Sequence, residues 1–262
     1  MTLSELQAVV QQMAPNELCA SFDNSGLQVG DLSQQVTRIL LCVDCTEAVT
    51  DEAVAGGFDC VLSHHPWIFP SVSRLCEQDA HQRVLRKLIR HDIALLAAHT
   101  NLDAAPDGVC ETLAHAMGIR EMQPVQADDG GDFGRIGTIA PCTLAQLAHT
   151  AKRVLQAGCV RFAGDPDACI TRLCVASGSG SSCMEDALQK GAQCIVTGDV
   201  RYHTALCYAA RGLCIIDAGH YDTEKIVLPV WQSRLQTRFH ALQYNVDLCI
   251  ASAGADVFVQ VG

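Results

Sequence analysis

The chain is poor in basic side chains. Among 262 residues, 18 Lys and Arg stand against 29 Asp and Glu, and the formal net charge is −11. Non-specific binding to nucleic acid needs a broad basic surface that replaces the counterions of the phosphate backbone. The composition therefore disfavours direct DNA binding, and we expect small molecules, metal cations or other proteins as partners.

Long apolar runs are also missing. No stretch approaches the roughly 18 apolar residues that a membrane-spanning helix needs. The first fifteen residues, MTLSELQAVVQQMAP, have no basic start and include the acidic Glu5, unlike an export signal. Thr2 and Glu5 instead have the spacing of a capping box at the start of an amphipathic helix. We expect no membrane association and a cytoplasmic location.

The fifteen cysteines lack the spacing of a metal-binding framework. One CxxC occurs, Cys42 to Cys45, within a predicted strand, and no second CxxC completes a four-ligand set. Most cysteines stand among apolar neighbours, as in FDCVL and QCIV, where cysteine packs as a small hydrophobic residue. We therefore expect reduced, structural cysteines in a chain whose 49% hydrophobic content is sufficient for a folded core.

What the sequence does contain is a repeat. Residues 38–66 and 172–199 both show a short apolar strand, a small polar loop, a helix that ends at glycine, and a second buried strand. After a further helix, IALLAAHTNLD at 93–103 matches LCIIDAGHYDTE at 213–224. In each of these, a strand is followed by His and, four positions later, by an acidic residue. Strands that alternate with helices at this spacing indicate parallel β-α-β units.

The predicted fold class is therefore α/β, with two related α/β lobes that arose by internal duplication and a metal site between them. The polar stretch Gln126–Asp132, with ADDGGD in its middle, gives the predicted division. The first lobe is predicted to comprise residues 1–126 and the second residues 127–262.

Metal-type donors follow the predicted strands, at the carboxyl ends where open α/β sheets bind ligands. Imidazole and carboxylate without thiolate suit zinc, manganese, iron, cobalt or nickel. Each of these donor residues also has a purely structural interpretation. A lone histidine is usually a core or surface residue, and a His/Glu pair can be a salt bridge. Their convergence at several strand ends favours a metal site. The candidate donors are His64, His65, His99, Asn101, Asp103, Asp199, His203, His220, Asp222 and Glu224.

Two loops have open interpretations. ASGSGSS at 176–182 joins a strand to a helix and could hold an anion at the helix N-terminus. It lacks the lysine of a phosphate-binding loop, so a tight turn is the alternative. In SFDNSGLQVGD at 21–31, Asp23 and Asn24 could line a cleft or simply form a turn.

Six motifs in order are similar to those of the Nif-three-like family, whose bacterial members are often labelled GTP cyclohydrolase type 2 homologues. They are FDNSGLQVG, SHHPWIF, AAHTNLD, GSGSS, TGDVRYHTA and DAGHYDTE. The resemblance covers about residues 20–258. Phe22 departs from the tryptophan that often precedes the Asp-Asn pair in the family. The short connection between the halves indicates the form without the inserted domain that some relatives carry.

The resemblance implies two divalent metal ions per chain, of zinc, manganese, iron, cobalt or nickel. His99 matches a further polar position near the metals, either as a ligand or as a supporting group. The resemblance also implies a ring-shaped homohexamer, a trimer of dimers whose metal sites face an internal cavity. The implied ligands are His64, His65 and Asp103 in the first lobe, with His220 and Glu224 in the second.

These ligands are compatible with more than one function. The first hypothesis is a metal-dependent hydrolase acting on a nucleotide or another phosphate-bearing small molecule. In it, His99 or His203 would carry a proton, since an unperturbed imidazole titrates near pH 6.5. The family label suggests GTP, although the sequence shows no guanine-reading motif. The alternatives are a non-catalytic metal chaperone or store, which would use the same ligands, and an interaction scaffold.

Overall fold

The computed structural model of the chain describes residues 1–69 and 71–259. It divides into two compact units, each with one β-sheet. The first unit comprises Met1–Leu102 and Leu228–Ala255, and the second comprises Asp103–Val227 with the chain from Asp256 onward. The predicted α/β fold class is confirmed.

The described residues contain eleven strands, ten α-helices and two short 3₁₀ helices. The strands are β1 (Gly26–Val29), β2 (Arg38–Cys42), β3 (Cys60–Ser63), β4 (Ala94–Ala97), β5 (Arg120–Val125), β6 (Gly134–Thr143), β7 (Arg161–Ala163), β8 (Cys169–Val175), β9 (Cys194–Thr197), β10 (Cys214–Asp217) and β11 (Asp247–Ile250). The α-helices are α1 (Leu3–Met13), α2 (Glu47–Gly56), α3 (Ala80–Arg90), α4 (Thr100–Ala104), α5 (Val109–Ala116), α6 (Leu144–Val154), α7 (Met184–Gln189), α8 (Tyr202–Ala210), α9 (His220–Glu224) and α10 (Val227–Ala241). The 3₁₀ helices are Asn16–Leu18 and Gly180–Cys183.

The sheet of the first unit has the strand order β1-β4-β3-β2-β11. β2, β3, β4 and β11 are parallel, and β1 pairs antiparallel with β4. Leu40, Val61 and Leu95 on neighbouring strands pack with Val49 of α2 and Leu88 of α3 in one buried cluster. The helices therefore cover one face of the parallel strands, as β-α-β connections require.

The sheet of the second unit has the order β5-β6-β8-β9-β10-β7, in which β8, β9 and β10 are parallel and the other pairs are antiparallel. Both faces are covered. Val196 packs in the same cluster as Leu147 of α6, whereas its neighbour Ile195 packs in the cluster of Met184 of α7. Burial on both faces explains why these strands are continuous apolar runs in the sequence.

The observed division of the chain differs from the predicted one at residues 126 and 127. Residues 126–133 connect β5 to β6, which pair antiparallel in one sheet, so the polar composition marks a hairpin connection. The unit boundary falls instead inside α4, after Leu102, and again before Leu228 in α10. The chain returns to the first unit because β11 pairs with β2. A local change in composition does not reveal such a long-range pairing.

The predicted repeat has a counterpart in the strand arrangement. Each sheet contains three parallel strands side by side in chain order, β2-β3-β4 and β8-β9-β10, with an antiparallel strand on the third. The predicted helix stops are confirmed, since Gly57 caps α2 in the left-handed conformation and Gly191, with φ +80, follows α7. Descent from an internal duplication stays a prediction.

Two further sequence expectations concern the N-terminus and the cysteines. The Thr2/Glu5 capping box is confirmed at the start of α1. All fifteen cysteines are free, and β2 ends at Cys42, so the CxxC spans the end of the strand instead of lying inside it. Burial raises the pKa of Cys45 to about 12. Within 1–69 and 71–259, no helix has the length and apolar character needed to cross a bilayer.

Candidate metal centre

The histidine pair of the first unit directly continues β3. The carboxyl ends of β2, β3 and β4 align at one edge of the sheet. The backbone ladder extends beyond the strand, because His64 N donates to Cys42 O (3.0 Å) and His65 N donates to Val43 O (2.9 Å). His64 is buried and His65 is half-buried. The backbone of both histidines is thus fixed by the sheet.

Three imidazole rings of the first unit form a triangle. The ring centroids of His64 and His65 lie 4.9 Å apart, and that of His99 lies 5.4 Å from His64 and 5.3 Å from His65. His99 follows β4 directly before α4, so two adjacent strand ends supply all three rings. The structure therefore brings together three of the imidazoles that the sequence placed at strand ends.

The Nδ1 atoms of the histidine pair face acceptors of the protein. His64 Nδ1 lies 2.9 Å from the carbonyl oxygen of Ala98, and His65 Nδ1 lies 2.8 Å from Asp44 Oδ1. An imidazole that donates its Nδ1–H to a carbonyl or carboxylate presents the lone pair of Nε2. Metal-bound histidines are almost always held in this way.

Asp23 holds His99 in the same manner. The Asp23 carboxylate is fully buried, and its Oδ1 lies 2.8 Å from His99 Nδ1. Its Oδ2 accepts hydrogen bonds from Ser25 Oγ (2.8 Å) and from the backbone N–H of Thr100 (3.1 Å). Burial acts to raise the pKa of Asp23, but hydrogen bonds from His99 and Thr100 and the charge of His99 outweigh it and hold this pKa well below its ordinary value. Asp23 is therefore an ionised carboxylate that orients His99.

In the second unit, His220 and Glu224 face each other across one turn of α9. His220 Nε2 lies 3.0 Å from Glu224 Oε1, and His220 Nδ1 lies 2.8 Å from Asp199 Oδ2. Each ring nitrogen of His220 thus faces a carboxylate oxygen. Two ligands of one zinc-like ion, at about 2.0–2.2 Å each, are separated by roughly 3.0–3.5 Å. The His220–Glu224 distance fits that arrangement.

Glu224 is also notable for its burial. Only 3% of the residue is exposed. A buried carboxylate is costly unless it is paired with a cation or with hydrogen-bond donors. The contact with His220 meets part of this requirement, and a divalent ion would meet more of it.

Gly178 lies against this pair. Its φ is +56°, and a Cβ atom added there would lie 2.3 Å from Glu224 Oε1 and 3.0 Å from His220 Nε2. A side chain here would displace the Glu224 carboxylate, so glycine is favoured both by the backbone conformation and by the space. The Gly-Ser loop at 176–182 is therefore packed onto the predicted ligands.

The glycine N–H groups of this loop donate to threonine side chains of neighbouring segments. Gly178 N donates to Thr223 Oγ1 (2.9 Å), and Gly180 N donates to Thr197 Oγ1 (2.8 Å). An anion-binding loop would direct such donors towards the ligand. These bonds favour the tight-turn interpretation of the loop.

Asp103 is connected to the same loop. It lies on α4, and its Oδ1 accepts a hydrogen bond from Ser177 Oγ (2.8 Å). Ser177 immediately precedes Gly178, which contacts His220 and Glu224. Three of the predicted ligands, Asp103, His220 and Glu224, thus border one loop of the second unit, although Asp103 was predicted to lie in the first lobe.

The histidine pair of the first unit could hold a metal ion. The ligand atoms of His64 and His65 lie within 4.8 Å of each other. Imidazole nitrogens are donors that zinc and similar ions accept.

His203 has a different environment. It lies in the first turn of α8, is exposed, and packs its ring edge-on against Tyr202, with 5.2 Å between centroids. This contact gives no support to a role in proton transfer, so that role stays a prediction. His99, with 19% of its side chain exposed, is the better placed of the two candidates.

Sequence reasoning missed the carboxylates that orient the histidines. Asp44 received no role, Asp199 was only a candidate donor, and Asp23 had an open interpretation. Asp44 and Asp199 share a signal, because each follows a parallel strand whose neighbour in the sheet is followed by a histidine. Asp23 has no such signal, since its contact depends on how β1 pairs with β4.

Comparisons with known proteins agree with the motifs. The model of the Duf34/NIF3 (NGG1p interacting factor 3) family matches residues 1–256. A Clostridium perfringens protein named GTP cyclohydrolase 1 type 2 homolog is 33% identical over 264 residues, covering 98% of this chain and 99% of the relative.

Solved structures show the same fold. The chain is similar to a Bacillus cereus protein related to NIF3, with a TM-score of 0.93 and 25% identity. It is equally similar to a Staphylococcus aureus hypothetical protein, with a TM-score of 0.93 and 29% identity. Each likeness covers 100% of this chain and 99% of the other. Since sequence and fold match from end to end, the resemblance seen in the six motifs is confirmed, and this chain belongs to the Duf34/NIF3 family.

Proposed function

We propose that this chain binds two divalent metal ions and is a metal-dependent hydrolase that acts on a nucleotide or another phosphate-bearing small molecule. Both units would contribute ligands to one dinuclear site. The proposed ligands are His64, His65, Asp103, His220 and Glu224.

The orientation of the imidazoles is the observation that carries this proposal. In each of the three histidine ligands, Nδ1 faces a carbonyl or carboxylate oxygen at 2.8–2.9 Å. A core histidine can form its hydrogen bonds through either ring nitrogen. Three histidines held through the same nitrogen present the same Nε2 atom, which is an arrangement typical of metal-binding histidines.

The chain's own residues would do the following work. When bound, a pair of divalent ions activates water and polarises the bond to be hydrolysed. Asp44 and Asp199 keep the ligand imidazoles in one tautomer and orientation. His99 borders His64 and His65 and is held by the ionised Asp23, so it is placed to accept a proton from the attacking water and return it to the leaving group.

The substrate class is suggested by the relatives. Several carry the name GTP cyclohydrolase 1 type 2 homolog, which makes GTP the first nucleotide to test. We extend the proposal to other nucleotides and phosphoesters, because the same ligands would serve any of them.

Metal handling is the second candidate function. The side chain of His220 is 35% exposed and that of His65 is 23% exposed. Ligands that are open to solvent allow an ion to be exchanged, as a metal chaperone or store requires. A hydrolase would instead retain its ions through many turnovers.

The first experiment is to measure the metal content of the purified protein by mass spectrometry. Wild type should hold about two ions per chain. A His64→Ala, Glu224→Ala double variant should lose most of them, whereas His149→Ala, an exposed histidine of α6, should retain them. A wild type that contains no metal and takes up none of zinc, manganese, iron, cobalt or nickel would contradict the proposal.

Dialysis and turnover separate the two candidate functions. The metal-loaded protein is dialysed against buffer without chelator and then assayed on GTP, other nucleotides and phosphomonoesters. Retained metal with turnover supports the hydrolase. Rapid loss of metal without turnover on any of these substrates supports metal handling.

A ring-shaped homohexamer is also part of the proposal, from the family resemblance. Native mass spectrometry should detect six copies of the 28.1 kDa chain in one particle. A stable monomer or dimer at micromolar concentration would contradict it.

A further inference from the structure

Two phenylalanine side chains stand exposed beside the histidine triangle of the first unit. Phe22 is 62% exposed and Phe69 is 50% exposed. Their ring centroids lie 6.3 Å apart at an interplanar angle of 75°, and the Phe69 ring lies 6.1 Å from that of His99 at 88°. Phe22 and Phe69, here called the aromatic corner, therefore border a group that the proposed function places at the reacting bond.

The backbone beneath the aromatic corner is held by specific contacts. Asn24, close to Phe22 in sequence, donates from Nδ2 to the carbonyl oxygen of Ile68, and Ile68 N donates to Gln28 Oε1 (2.6 Å). Trp67 stacks on His81 with 4.6 Å between centroids and donates from Nε1 to His81 O (2.8 Å). The two phenylalanine rings are thus held out in solvent by an ordered segment.

Exposed aromatic pairs of this kind favour a ligand. A phenylalanine ring gains a large apolar contact when it is covered and forgoes that contact in water. Ligand sites combine such apolar side chains with a few polar or charged groups that fix the reacting part of the molecule. Here the polar groups are the imidazoles next to Phe69.

The geometry of the corner selects the shape of the ligand. Two rings at 75° offer one face and one edge, which suits a flat ring that stacks on one phenylalanine and meets the other edge-on. Nucleobases stack on aromatic side chains whatever their identity, because every base has a π-face. A flexible acyl chain or a bare sugar phosphate would gain less from this arrangement.

We infer that Phe22 and Phe69 bind the base of a nucleotide whose phosphate or reacting bond lies at the histidines. The inference rests on the proposed function and narrows its substrate class from phosphate-bearing molecules to nucleotides. Phenylalanine has no hydrogen-bonding group in its side chain. The aromatic corner should therefore favour nucleotides over sugar phosphates that lack a base, and it should bind guanine and adenine equally well.

Calorimetry on the full-length, metal-loaded protein tests the inference with GMP, AMP and ribose 5-phosphate. Wild type should bind both nucleotides about tenfold or more tightly than ribose 5-phosphate, since only the nucleotides have a base that can stack on the phenylalanine rings. The Phe22→Ala, Phe69→Ala double variant should bind GMP no better than ribose 5-phosphate. Phe69→Trp should keep the preference.

The matched control is Phe162→Ala, which removes a phenylalanine that is 42% exposed on β7 of the second unit. It should bind GMP as wild type does. Metal content and circular dichroism of every variant should equal those of wild type, which shows that the variants are folded and loaded.

Several results would overturn the inference. These are equal binding of GMP and ribose 5-phosphate by wild type, binding of neither by wild type, and an unchanged GMP affinity of the double variant. A double variant with a smaller assembly on size exclusion and unchanged GMP binding would mark the corner as an interface between copies. A metal-loaded wild type that hydrolyses ribose 5-phosphate without any preference for nucleotides would retain the proposed function and eliminate only this inference.

Discussion

The two units share a strand arrangement but differ in the residues that follow the strands. In each, three parallel strands lie in chain order with an antiparallel strand paired to the third. The middle strand β3 is followed by His64 and His65, whereas the middle strand β9 is followed by Gly198 and Asp199. The first unit therefore presents neighbouring imidazoles, and the second presents one imidazole between carboxylates.

The third strands show how the same position can acquire different partners. His99 follows β4 and His220 follows β10, and each holds a carboxylate at Nδ1. The carboxylate of Asp23 precedes the antiparallel strand β1, whereas that of Asp199 follows the parallel strand β9. The third parallel strand positions the histidine in both units, whereas the carboxylate that contacts its Nδ1 comes from a different segment in each. Chemistry thus depends on the strand ends more than on the fold.

The largest expected effect comes from Gly178→Ala in the second unit. The added Cβ would lie 2.3 Å from Glu224 Oε1, so the ligand pair must move, and we expect the protein to lose most of its metal. Gly191→Ala is the matched control, because it has a similar positive φ but its nearest neighbour atom is 3.8 Å away. Both variants should lose about 1–2 kcal/mol of unfolding free energy from the left-handed backbone. If both retain metal equally, Gly178 does not shape the site.

His99 and His220, which follow the third parallel strand of their units, should differ clearly in function. His220→Ala should lose metal, because His220 is a proposed ligand. His99→Ala should keep its metal and lose about 10²–10⁴-fold in turnover, the usual contribution of a general acid or base. Metal analysis and kinetics on the same preparations check this. Loss of metal from His99→Ala would make His99 a ligand and the two positions equivalent.

The orienting carboxylates should have a smaller, matched effect in the two units. Asp44→Asn and Asp199→Asn keep the size of the side chain but remove the charge that faces His65 or His220. Each should weaken metal affinity by about 10–100-fold, as loss of such partners does in other sites. Competition with a chelating dye measures the change. Asp167→Asn, on the exposed surface, is the control and should match wild type.

The smallest effect concerns an ion pair that recurs between corresponding helices. Arg83 of α3 binds Glu47 of α2, and Arg211, which follows α8 as its C-cap, binds Glu185 of α7. The hydrogen bond and charge of Arg211 lower the pKa of Glu185 to about 2, and those of Arg83 lower the pKa of Glu47. A depressed pKa stabilises the fold above the ordinary glutamate pKa, and this contribution is lost as pH falls from about 4.5 towards 2.

Glu185→Gln and Glu47→Gln should therefore lower Tm slightly at pH 7. The difference in Tm from wild type should shrink at low pH, because the glutamates become protonated. It should also shrink in high salt, because salt screens exposed ion pairs. Thermal unfolding at several pH values and salt concentrations measures the shift. The Glu185 variant should show the larger one, since Arg211 binds the two carboxylate oxygens at 2.7 and 2.9 Å, whereas Arg83 binds those of Glu47 at 3.3 and 3.2 Å. Equal shifts at all pH values would show that the effect is not electrostatic.

Features that depend on near neighbours could be predicted from the sequence. Apolar runs predicted the parallel strands, and Gly57 and Gly191 ended helices where a left-handed residue is needed. His64 and His65 could be placed beyond a strand because Pro66 follows them. These signals are local, since periodicity, capping and proline act within a few residues.

Features that depend on distant residues became visible in the three-dimensional fold. Asp23 meets His99 across 76 positions, and β11 returns to β2, where Asp247 pairs with Arg38 across 209. The observed division falls elsewhere than at the predicted residue 126, because the polar turn there lies inside a hairpin and has the composition of a linker. Sheet pairing brings such residues together through hydrogen bonds and burial between segments, and no pattern within either segment records the partner.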